Sequence, residues 1–149
     1  MADTVFAGAS LLAIIAWLSL ALALIIKPGI SRERLLQFAG RQVPLVLCVL
    51  YASVLYTNWG KVPNGGFSSL ASVVVLFSVP GKMLGGWIHF LAFDLLIGRG
   101  VIDHGLAHGY PRVVLVMVLP IIFIYGPLGV LAYLLLGILI RKGVARNEA

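Results

Sequence analysis

Two ionisable side chains sit where the surrounding sequence offers them no water. Asp94 and His89 share the apolar stretch Gly86-Trp87-Ile88-His89-Phe90-Leu91-Ala92-Phe93-Asp94-Leu95-Leu96, and Asp94 is the one acid inside an apolar run. A carboxylate in hydrocarbon costs on the order of 3 kcal/mol or more on insertion scales, so it needs a protein partner or water. The five-residue spacing puts the two groups about 140° apart on an ideal helix. That disfavours a direct hydrogen bond and suits two groups bordering one cavity between neighbouring helices, both facing the bundle and not lipid. A general acid and a general base placed this way contribute about 10²–10⁴-fold each. The competing structural explanation has His89 bonding a backbone carbonyl and Asp94 tying the helix end to Arg99 or Arg112. Intramembrane ionisable groups favour the functional reading.

Other candidates carry weaker signals. Asp103, His104 and His108 follow in a Gly-rich stretch, where His104 and His108 share a face if the segment is helical. A mixed His/carboxylate site for iron or zinc, drawn from His89, Asp94 and Asp103, is the metal alternative. Solvated loop histidines are the simpler explanation of His104 and His108. Ser68, Ser69 and Ser72 lie on a short helix, where packing hydrogen bonds account for them as well as a site does. Trp87 and Phe93 serve either as packing residues or as a ligand platform. There is no Gly-rich phosphate loop, Ser/His/Asp order or paired-cysteine motif, and the single cysteine, Cys48, forms no disulfide framework.

The elements that must position these residues are membrane helices. Hydrophobic residues make up 61% of the 149-residue chain, against eleven Lys and Arg and five Asp and Glu. A soluble domain of this size needs roughly a quarter of its residues charged, so a water-soluble monomer is excluded, and the mean hydropathy of +1.08 agrees. Residues 8–26 form an uncharged run long enough to cross a hydrocarbon core about 30 Å thick. Asp3 precedes it and no Lys or Arg does, which argues against a signal peptide, and no Arg- and Ser-rich transit segment is present. A second span covers 43–59, after a basic linker in which Ser31 to Phe38 begins a short surface helix. The cluster Pro63-Asn64-Gly65-Gly66 reverses the chain. A third span, 67–98, is broken or re-entrant at Pro80-Gly81, which is tolerated at membrane depth only when buried in protein or lining a cavity. A polar loop, 99–112, leads to the last run, 113–140, kinked at Gly126-Pro127. The expectation is a single all-α membrane domain, 1–149, of about four transmembrane helices.

The net charge of +6 is scattered in short stretches between apolar runs, without interleaved aromatics, which excludes a nucleic-acid surface. Its partner is the bilayer and its anionic headgroups. Lys27, Arg32, Arg34 and Arg41 in the first loop, against Lys61 in the second, place the N-terminus outside and the first and third loops in the cytoplasm. Arg141, Lys142 and Arg146 then fall on the wrong side of a four-span chain. Either the last run turns back at Gly126-Pro127 or the first loop dominates, and the four basic residues of that loop favour the second.

The stretch Gly66-Phe67-Ser68-Ser69-Leu70, Leu76-Phe77, the Trp87-x-His89-x4-Asp94 core, Gly98-Arg99, Asp103, Gly105, Arg112 and Gly126-Pro127-Leu128-Gly129 resembles the abscisic-acid-deficient-4-like membrane proteins. The similarity covers most of the chain, and plant members are associated with neoxanthin synthesis from violaxanthin. The resemblance implies a four-helix membrane protein working on, or beside, a lipid-soluble carotenoid substrate, as an isomerase-type enzyme. The alternative is a non-catalytic pigment-binding or assembly subunit for a partner membrane enzyme. On this reading Asp94 and His89 are the catalytic acid and base, and Trp87, Phe93, Ser69 and Arg112 are substrate-binding candidates. Acid–base isomerisation requires no cofactor, with iron or zinc as the alternative. The missing transit segment leads to the expectation of a bacterial cytoplasmic membrane.

Overall fold

The computed structural model describes residues 1–147, with side chains described through Ile140. Helix α1, Ala2–Ile25, buries Ala9, Ala13, Ala16, Leu20 and Ala23, residues recurring every three or four positions. Small side chains on that face let backbones approach closely, which is how helices associate where lipid removes the hydrophobic driving force. It packs on α5, Pro80–Ala107, where a Cβ at Gly98 would stand 2.6 Å from the Trp17 ring.

Helix α2, Ile30–Gln37, does not lie apart as a surface helix. It runs through a π-helical turn, Phe38–Gln42, into α3, Val43–Thr57. Pro44 offers no amide to the helical ladder, and just before it the backbone widens so that Val43 N–H donates to Phe38 C=O. The outcome is one 28-residue helix, Ile30–Thr57, where the sequence suggests a span beginning only at residue 43.

Asn64 takes φ of 59° in the expected reversal. The short α4, Leu70–Phe77, follows, and the break before Pro80 falls where expected. The anticipated loop 99–112 is a correction. Despite Gly98, Gly100 and Gly105, α5 continues to Ala107, because its apolar stripe continues through the buried Val101 and Ile102 and outweighs the glycine propensity.

The last run breaks at Gly126-Pro127, between α6, Arg112–Tyr125, and α7, Pro127–Asn147. The break is a reversal and not the expected kink. A Cβ on Gly129 would stand 2.6 Å from Ile122 Cα, and Tyr133 packs against Tyr110, which precedes α6, with ring centroids 5.6 Å apart. Helices α6 and α7 are therefore antiparallel. Gly126, with φ of 38°, supplies the left-handed backbone that the reversal needs. The all-helical membrane fold stands: α1, Ile30–Thr57 and α5 are each long and apolar enough to cross, and the last run adds two shorter apolar helices.

The reversal removes the charge conflict in the sequence. Lys27, Arg32, Arg34, Arg41, Arg99 and Arg112 gather at one end of the bundle, and α7 returns toward that end. Among the described side chains only Lys61 and Lys82, of the lysines and arginines, belong to the opposite end. The side chains of Arg141, Lys142 and Arg146 lie outside the described residues.

Candidate functional site

Asp94 sits midway along α5, on the stripe that also carries Trp87, Leu91 and Gly98. It is 6% exposed, and its Oδ2 has no hydrogen-bond partner among the described residues. The tip of the α6–α7 hairpin closes over it, so that a Cβ on Gly126 would stand 3.3 Å from Oδ1 and 3.5 Å from Oδ2. The N-terminal end of α7 begins at this tip, and a helix N-terminus stabilises nearby negative charge. Neither expected arginine reaches the carboxyl group. Arg99 Nε donates to Asp103 Oδ2 at 2.7 Å, and Arg112 Nη1 donates to Ile26 C=O at 3.4 Å.

One turn from Asp94 lies an apolar cavity of about 330 Å³ between α1, α5 and α6, lined by Ser10, Trp87, Phe90, Leu91, Phe123 and Ile124. Trp87 Nε1 donates to Ser10 Oγ at 3.0 Å, which fixes the indole at the cavity wall. A second cavity of about 200 Å³ between α1 and α6 shares Ile14 and Phe123 with the first. The two make an elongated apolar groove. Trp17 lines its lower part, and its buried Nε1 has no partner among the described residues.

His89 is elsewhere. It is exposed on the face of α5 turned toward α3, stacked on Phe93 at 4.5 Å and near Tyr51 at 5.8 Å between ring centroids. It lines a different cavity, of about 420 Å³, with Tyr51, Asn58, Phe77 and Lys82. This corrects two expectations, that both groups face the bundle interior and that both border one cavity. The physical reason is that α5 is flanked by different helices, and the 140° offset expected for an ideal helix aims Asp94 at the hairpin and His89 at α3.

The substrate-binding candidates do not converge either. Trp87 lines the groove beside Asp94, while Phe93 covers His89 on the other face. Ser69 is the exposed N-cap of α4, accepting from Ser72 N–H at 3.2 Å while Ser72 Oγ accepts from Ser69 N–H at 3.0 Å. Arg112 lies at the charged end against α1. His89, Asp94 and Asp103 do not gather as metal ligands, and the described residues hold no group of three or more His, Cys, Asp or Glu able to hold an ion. Gly126, Ser10, Phe123 and Trp17 join the site without having been expected there. The Gly-Pro break at 126 was visible as a signal, but its position against Asp94 was not.

The sequence model of the ABA DEFICIENT 4-like family matches residues 4–133, from the first turn of α1 to Tyr133 in α7. The chain belongs to the ABA DEFICIENT 4-like family. Both Asp94 and the hairpin tip that covers it lie within the matched region of this ABA DEFICIENT 4-like protein. Membership makes it a carotenoid-related membrane protein at the level of the family. The assignment lends no support to a bacterial cytoplasmic membrane; the membrane placement itself stands on the apolar helices. Neither the comparison with curated proteins nor that with solved structures returned a match.

Proposed function

We propose that this protein binds an epoxy-carotenoid in the groove between α1, α5 and α6 and isomerises it, with Asp94 as the proton carrier. The observation that carries the proposal is a buried carboxyl oxygen without a partner among the described residues, at a broken-helix tip beside an elongated apolar groove. Isomerisation of an epoxide to an allenic alcohol involves no net redox change. The carboxyl proton passes to the epoxide oxygen, the C–O bond opens, and positive charge develops on the ring carbon. The neighbouring chain carbon then surrenders its proton to the carboxylate, and its electron pair forms the new double bond. Oxygen and departing proton are separated by one carbon, so a single carboxyl group serves both transfers and is regenerated. The start of α7 stabilises the transient carboxylate, and the dry groove wall strengthens that interaction. His89 has no part in this cycle.

A second reading, a pigment-holding subunit for a partner enzyme, is favoured by one observation: Asp94 stands behind the groove and not in its wall. Pigment chromatography of a host that makes epoxy-carotenoids separates the two. With Asp94→Asn, the enzyme loses conversion while the folded protein still co-purifies with pigment. Unchanged conversion by that variant selects the pigment-holding subunit.

A further inference from the structure

At the charged end of the bundle lies a polar cavity of about 450 Å³ between α2 and the C-terminal half of α5, lined by Arg32, Glu33, Leu36, Arg99, Asp103 and Leu106. We propose that it is a binding site for a phosphate group, carried by an anionic lipid headgroup or by a soluble phosphate ester. The inference is independent of the carotenoid reading.

The cavity is built by the unusual backbone beside it. The π-helical turn carries buried Gly40 against α5, where a Cβ would stand 2.8 Å from both Cβ and Cδ of Arg99. A π-bulge of this kind is rare and concentrates at functional positions. The absence of a side chain at Gly40 lets the Arg99 stem cross toward α2. Its guanidinium is then oriented by the 2.7 Å bond from Nε to Asp103 Oδ2, which leaves the four N–H donors of Nη1 and Nη2 for a ligand. Arg32 lines the other wall, and its buried Nε has no hydrogen-bond partner among the described residues. A buried donor left in that state is destabilising until an acceptor arrives.

Two guanidinium forks on facing helices match the oxygens of a phosphate better than point charges do. Two acids share the cavity. Asp103 pairs with Arg99 and orients it, and Glu33, whose Oε1 accepts from Gln37 Nε2 at 3.2 Å along α2, keeps its charge. The cavity's own cations and anions therefore balance, and its surplus positive potential comes from the residues around it. Lys27, Arg34 and Arg112 at the same end add positive potential, where polybasic segments meet anionic headgroups.

Calorimetric titration of the delipidated, detergent-solubilised full chain with dihexanoyl-phosphatidylglycerol and with glycerol phosphate tests the site. Saturable binding is expected, weakened about fivefold or more by Arg32→Gln or Arg99→Gln, each removing a charge-assisted donor. Arg34→Gln, which alters an exposed arginine outside the cavity, is expected to change binding less than about twofold. Arg32→Lys keeps the charge but loses the fork, and is expected to bind about threefold more weakly or worse. Saturation by lipid alone assigns the phosphate to a headgroup, and equal affinity for glycerol phosphate assigns it to a soluble ester. Equal loss in all three glutamine variants means diffuse attraction to a basic surface and overturns the proposal. So does the absence of saturable binding. If Arg99→Gln fails to elute as the folded species, the comparison of Arg32 with Arg34 decides alone.

Discussion

Asp94 and His89 occupy one helix yet answer to different neighbours, and their substitutions separate accordingly. Asp94→Asn preserves shape and removes the transferable proton, so conversion of epoxy-carotenoid falls by about 100-fold or more. His89→Ala, on the face toward α3, leaves conversion within about threefold, since it removes no group from the proton path. Pigment chromatography of cells carrying each variant reads both outcomes, and the reverse ranking removes Asp94 from its role. The divergence of these residues was half legible in the sequence. Their spacing declared two faces, but which helix stands across each face depends on contacts between residues far apart in the chain. The orphaned Oδ2 was likewise beyond reach, because Arg99 and Arg112 are near Asp94 in sequence and are drawn away by Asp103 and Ile26.

The hairpin is the element on which the candidate site depends. Gly126→Ala puts a side chain at φ of 38° and within 3.3 Å of Asp94 Oδ1. A side chain held in so sparsely populated a backbone conformation costs roughly 1–3 kcal/mol, so the variant is expected to melt at lower temperature in detergent and to lose conversion together with stability. An unchanged melting temperature would sink the left-handed reversal. Side-specific labelling checks the topology: in a Cys48→Ser background, cysteines at Gly109 and at Ile140 react from one face of the membrane and one at Lys61 from the other. Reaction of the Ile140 position together with Lys61 restores a kinked span. Gly126-Pro127 announced the break. The angle was hidden, because a bend and a reversal share that dipeptide, and the choice rests on Gly129 admitting the backbone of Ile122.

For the molecule as a whole, composition was the most legible layer, since a chain with so few charges has no soluble surface to offer. The side on which each charge lies was legible only once the hairpin was counted, which turned a contradictory C-terminus into a consistent one. A proton cycle on Asp94 also carries a consequence for the intact protein. Conversion is expected to persist after prolonged exposure to a strong chelator, and loss of activity restored by iron or zinc would overturn it. The hairpin has one more consequence. Its first arm is 14 residues, about 21 Å, and it ends at the depth of Asp94. Beyond the tip, on the Lys61 side, no helix of that hairpin displaces the acyl chains, so the two leaflets meet different proteins. If the groove takes a pigment as proposed, its stretch beside Ile124 and Trp87 lies at and beyond the tip, on the side where that hairpin leaves the bundle open to lipid.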